Sequence, residues 1–98
     1  MALPEGLLAA AKTYLSITWT DVETDANLTG ILERGIAYLN RIAGAAKDYL
    51  IEGDARALLF DYAMYARSGA LASFADNYKS ELLALQINTT VEPAEGSG

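Results

Sequence analysis

Apolar residues recur along this chain at spacings of three and four, the period of helices that bury one face. Leu7, Leu8, Ala11 and Leu15 share a face in a first short stretch, opened by Pro4, Glu5 and Gly6. Proline suits a first helical turn, and an acid there faces the positive end of the helix. Ile17 and Trp19 follow in an extended or turn segment. Leu28, Ile31, Leu32, Ile36, Leu39 and Ile42 then mark a longer helix, from about Asp25 to Ala43. Thr20-Asp21-Val22-Glu23 fits the capping pattern S/T-x-x-E, and Asp25 is a second candidate cap. Gly44 stands at the usual C-terminal cap position.

Residues 45–53 read as a connector carrying Tyr49-Leu50-Ile51 and closed by Gly53. Asp54 is the expected cap of a third helix, whose face is Ala55, Leu58, Leu59, Tyr62, Ala63 and Ala66, with Tyr65 at its edge. Ser68-Gly69 either kinks this helix or ends it. A fourth pattern covers Leu71 to Gln86, with Phe74, Tyr78, Leu82 and Leu85 at helical spacing. Whether the last two patterns form one bent helix or two is open at this level. The fold expected is all-α: a small bundle of about four helices over residues 1–87, with an extended or disordered tail over 88–98. Thr89, Thr90 and Val91 favour extended backbone in that tail, and Gly96-Ser97-Gly98 reads as a flexible end. Gly30 and Gly35 interrupt the second helix, each at a cost of about 1 kcal/mol against Ala. Close helix approach or simple tolerance accounts for them.

Composition narrows the function. The chain has 98 residues, 52% of them hydrophobic but only 9% aromatic, so its core is built mainly from Ala, Leu and Ile. One domain of this size buries about 60–65% of its unfolded surface. There is no cysteine and no histidine. That removes disulfides, a thiolate nucleophile, zinc-finger spacing, the commonest general base and the commonest metal ligand. The net charge is −6, and the seven bases are scattered. Gripping nucleic acid needs clustered Lys and Arg. No apolar run is long enough for a membrane span, and the opening residues lack the basic start of a signal peptide.

The remaining chemistry is thin. Asp21, Glu23 and Asp25 match only the first beat of a calcium loop, without its Gly and distant Glu; acids at a helix start explain them. Glu52 and Asp54 are close in sequence, but nothing converges on them. Tyr62, Tyr65, Phe74 and Tyr78 read as core or interface aromatics with hydroxyls at the rim. Lys12, Arg34, Arg41 and Arg67 are candidates for pairing with acids of a neighbouring copy. No catalytic, cofactor or metal residue is expected, and no enzyme activity.

Three runs carry a family resemblance. Asp25-Ala26-Asn27-Leu28 followed by Ile31-Leu32-Glu33-Arg34-Gly35-Ile36-Ala37-Tyr38-Leu39-Asn40-Arg41-Ile42-Ala43-Gly44 resembles the second helix of phage head–tail connector proteins. The segment from Ala55 to Leu71 is similar to that family's next helix. Phe74 through Gln86, with Ser80-Glu81-Leu82-Leu83-Ala84-Leu85-Gln86-Ile87, resembles its closing helix. The likeness covers about residues 7–88 and is nearest to the version in siphophages and prophages of Gram-positive bacteria. It implies a structural protein of the virion, assembled in the host cytoplasm. Such proteins form a ring, about twelve-fold in the virion, beneath the portal protein. The ring extends the DNA channel without specific DNA binding and docks a stopper or tail-completion protein. By the same resemblance, Ile87, Asn88, Thr89, Thr90, Val91, Glu92 and Pro93 would contact the portal, as an added strand. The rival reading is a small helical adaptor or regulatory domain that binds one partner through the Tyr62/Tyr65/Phe74/Tyr78 face.

Overall fold

The computed structural model describes the backbone of residues 3–19 and 21–96, and side chains as far as Ile87. Among these residues the chain is all-α, with no strand: α1 (Leu7–Tyr14), α2 (Val22–Ala43), α3 (Asp54–Arg67), a 3-10 turn (Leu71–Ser73), α4 (Phe74–Asn77) and α5 (Lys79–Gly96). The long α2 is the axis of the fold: α1, α3 and α5 all pack on it, and α3 also packs on α5.

Its buried side is Leu28, Ile31, Leu32, Gly35, Ile36, Leu39 and Ala43, the expected stripe with a glycine and an alanine added. Ile42 packs against it part-buried. The helix starts earlier than its sequence pattern suggested. The cap is Asp21, whose carboxylate accepts the Thr24 backbone N–H at 3.1 Å and the Thr24 hydroxyl at 2.9 Å. Asp25 lies a turn inside and pairs with Lys12 instead. Thr20, the other candidate, lies outside the described residues. At the far end Gly44 adopts φ 81°, and its N–H donates to the Asn40 carbonyl at 2.8 Å.

Two helices end in the same way. The Ser16 and Ile17 amides donate back to the Thr13 and Lys12 carbonyls, and the Gly69 and Ala70 amides to those of Ala66 and Tyr65. Both are Schellman ends, which need a left-handed residue just past the helix. Gly69 supplies it at φ 75°, so Ser68-Gly69 stops α3 outright; Ser16 supplies it at φ 62° without glycine's freedom. Gly53 takes the position before α3, and Asp54 is the first helical residue, making no side-chain cap.

The single helix expected over 71–86 is broken into the 3-10 turn, α4 and the start of α5. The break falls at Tyr78, with φ −114° and ψ 23°. The four-residue step survives it: the Tyr78 N–H reaches the Phe74 carbonyl and the Leu82 N–H the Tyr78 carbonyl. The apolar rhythm therefore hides the irregularity. A second difference concerns the tail. Backbone expected to be extended over 88–93 and disordered beyond is helical as far as Gly96, as the end of α5. Once Leu82 and Leu85 anchor α5 in the core, each further residue except Pro93, which has no N–H to donate, adds one hydrogen bond without a new nucleation cost. Ser97 and Gly98, the rest of the flexible end, lie outside the described residues.

The two helix-interior glycines have different reasons. At Gly35 α3 crosses so closely that a Cβ would lie 2.8 Å from both Leu59 Cδ1 and Tyr62 Cδ1. At Gly30 a Cβ would meet only the Arg34 Nη1, at 3.3 Å, the far end of a flexible side chain. Gly35→Ala should therefore destabilise by about 1–3 kcal/mol through overpacking. Gly30→Ala should stabilise by up to about 1 kcal/mol through helix propensity. Urea denaturation of the two variants checks the opposite signs; equal effects would remove the close crossing.

Candidate interaction surfaces

The acids singled out as possible ligands are used locally. Asp21 caps α2, and Asp25 accepts from Lys12 Nζ at 2.8 Å in a part-buried pair. Glu52 stands 3.8 Å from Arg56 and is almost fully exposed, an arrangement of little energetic weight. Among the described residues no group of three or more acids is arranged to hold a metal ion.

The aromatic set turns inward. Phe74 is 1% exposed and Tyr62 also buried. The Phe74 ring stacks on Tyr78 at 4.7 Å and meets Tyr62 and Tyr65 edge-on at 5.5 and 5.6 Å. Tyr38, absent from the sequence reading of this cluster, closes it from α2, 5.7 Å from Tyr62 and 6.2 Å from Phe74. Its place beside the stripe residue Leu39 is the only sequence signal. These rings hold α2, α3 and α4 together; of the face named in the adaptor reading, Tyr62 and Phe74 are buried and Tyr65 and Tyr78 half-buried. Phe60 was missed as well. It is buried on another side of α3, 5.4 Å from the Tyr14 ring and under the Arg56 guanidinium at 5.3 Å. A single-stripe reading of α3 cannot see it, because α3 is covered from two directions.

Phenols meet carboxylate and amide partners at the rim. The Tyr14 hydroxyl donates to Asp61 at 2.5 Å, and this bond raises the Tyr14 pKa. Tyr49, in the middle of the connector, donates to Asn40 Oδ1 at 2.7 Å, which also accepts the Lys47 amide at 3.1 Å. Burial pushes Tyr49 up to about 12. Burial does the same to Tyr78, also to about 12, with Asp61 adding to it. A phenol held protonated in the fold, but released near pH 10 by the unfolded chain, contributes stability below pH 10 that is lost as pH rises toward 12. Urea midpoints should therefore fall steeply between pH 10 and 12, and Tyr49→Phe should flatten that fall. A wild-type midpoint unchanged across the window would contradict it.

The four bases proposed for surface pairing part company. Lys12 is taken by Asp25, and Arg41 lies over the Tyr38 ring at 5.9 Å. Arg34 and Arg67 instead line one open depression between α2 and α3, about 470 Å³ in volume, with Asn27, Ile31, Ala66 and Leu71. Both are exposed, and no acid lines the depression. A second groove, about 210 Å³, runs between α3 and α5. Asp54, Asp61 and Glu81 line it together with Ala57, Leu58, Tyr78 and Ala84, and no base does.

Of the residues assigned to portal docking, Ile87 is half exposed, 51%, and Leu83 one turn before it is 54% exposed. Asn88, Thr89, Thr90, Val91, Glu92 and Pro93 belong to α5 by their backbone, and their side chains lie outside the described set. Among the described residues no helix is long and apolar enough to cross a membrane. Compared with protein-family models, with curated proteins and with solved structures, the chain gives no match.

Proposed function

We propose that this chain is a structural head–tail connector of a tailed bacteriophage or prophage. It forms a ring beneath the portal, extends the DNA channel and docks the next stopper or tail-completion protein. One observation carries the reading. The three runs that resemble the connector family, on α2, on α3 and on the stretch from Phe74 to Gln86, are the segments that pack together around α2 as the core. The likeness thus falls on mutually packed elements rather than on isolated helices. Two features support it. The chain offers no histidine or cysteine for catalysis, and its net charge of −6 suits a channel through which DNA slides without being gripped. The work of such a protein is binding its neighbours, with no cofactor and no reaction.

The test begins with the DNA that flanks the coding sequence. Portal and capsid genes upstream, with tail genes downstream, are expected. Electron microscopy of the protein mixed with that portal should then show a ring of added density at the portal's outer end. Removing residues 88–98 should leave the circular dichroism spectrum helical and abolish that density. A neighbourhood of ordinary cellular genes, or a portal that stays bare, would sink the proposal.

A further inference from the structure

The charge layout of the surface points to a specific contact between copies of this chain. Arg34 comes from the middle of α2 and Arg67 from the last turn of α3, yet they line the same depression. Neither has an ion-pair partner among the described residues, whereas Lys12 and Arg56 each have one. Two guanidiniums lining one depression repel each other, and an oxyanion between them relieves that repulsion with charge-assisted hydrogen bonds. Ile31 and Leu71 give the same depression an apolar floor and wall, which suits a side chain with an aliphatic stem.

The complement lies elsewhere on the same molecule. The groove between α3 and α5 presents Asp54, Asp61 and Glu81 beside Ala57, Leu58 and Ala84. Asp61 is held by the Tyr14 hydroxyl, which leaves Asp54 and Glu81 as the carboxylates free to reach outward. The helix dipole alone would favour Asp54 at the start of α3 and Arg67 at its end. It does not account for Arg34 or Asp61, which stand in helix interiors. The groove begins at the N-terminal end of α3 and the basic depression lies at its C-terminal end, about 20 Å away for a helix of this length. A copy therefore does not fill its own depression with its own groove.

We propose that the Arg34/Arg67 depression of one copy receives Asp54 and Glu81 of the next, giving a head-to-tail contact. A contact between two different patches is heterologous, and it propagates into a ring where the rotation closes. This supplies an interface for the ring of the connector reading and rests on that reading only for closure.

The experiment uses the full chain in sedimentation velocity at rising concentration. The wild type should associate in low salt at concentrations up to about 1 mM, a weak contact in affinity terms. That association should dissolve near 1 M salt, where screening acts within about 3 Å. The variants R34E/R67E and D54K/E81K, checked for helicity by circular dichroism, should each remain monomeric. Their equimolar mixture should regain association, because every depression then meets a groove of opposite sign. The chain with all four substitutions should regain it alone. R34Q/R67Q and D54N/E81Q, which only delete charge, should weaken association about tenfold, equivalent to about 1.4 kcal/mol, and serve where a reversal fails to fold. A wild type that stays monomeric throughout would overturn the contact, as would variants that associate normally or a mixture that does not recover. Each of those results leaves portal binding to be judged by its own test, and a portal that stays bare leaves this contact standing.

Discussion

Replacing Phe74 with Ala should cost about 3–5 kcal/mol, the range for truncating a large buried aromatic. The ring is 1% exposed and touches Tyr38, Tyr62, Tyr65 and Tyr78. It is the only member of the cluster that meets all the others. Removing it leaves a cavity lined by four rings, one on α2, two on α3 and one at the junction of α4 and α5, and edge-on and stacked pairs add about 0.5–1.5 kcal/mol each beyond area burial. The backbone there is a 3-10 turn leading into one turn of α4, with little stability of its own. Small domains hold only about 5–15 kcal/mol in all, so this substitution should consume a large share of the total. Urea denaturation measures it, with Phe74→Leu as a control that keeps most of the volume. A loss under about 1 kcal/mol for the alanine variant would mean that the rings are not the clasp described here.

Leu59→Ala is the second large effect, at about 2–5 kcal/mol. Leu59 is 0% exposed, and its Cδ1 is one of the two atoms that a Cβ at Gly35 would strike. The two positions are therefore coupled. Leu59→Ala opens space at the crossing that the Gly35→Ala methyl can enter, leaving Tyr62 as the one remaining obstruction. The double variant should be more stable than the sum of the singles predicts, by about 0.5–3 kcal/mol, the scale for residues in direct contact. Strict additivity would show that the helices do not cross at that atom pair. Leu82→Ala, at 8% exposure and on the outer part of the core, should fall at the lower end of the same range.

The stripes of α1, α2 and α3 are legible in the sequence because each is set by local periodicity, and the capping glycine at 44 is legible for the same reason. What escaped depends on contacts far apart in the chain. Phe60 and Tyr38 look like flank residues until Tyr14 and Phe74 arrive from other helices. Gly30 and Gly35 look alike until α3 is laid across one of them. Ser16 ends α1 in a conformation that sequence patterns assign to glycine, and the Tyr78 break is masked by an unbroken four-residue rhythm. The basic half of the proposed contact was partly visible. Arg34 and Arg67 stood among four candidate bases, but only the packing of α2 on α3 separates them from Lys12 and Arg41, which have partners of their own.

The position of α2 has a further consequence, for how the molecule opens. It is the one helix in contact with α1, α3 and α5 together, so no excursion of a single neighbour exposes its middle. Amide hydrogens from Leu32 to Leu39 should exchange with solvent only when the whole domain unfolds. Those of α1, a short helix held on α2 by one face and on α3 by Tyr14, should exchange through local detachment at a smaller free-energy cost. A chain with the proposed connector role can thus loosen its outer helices in turn while the central helix α2 keeps its register.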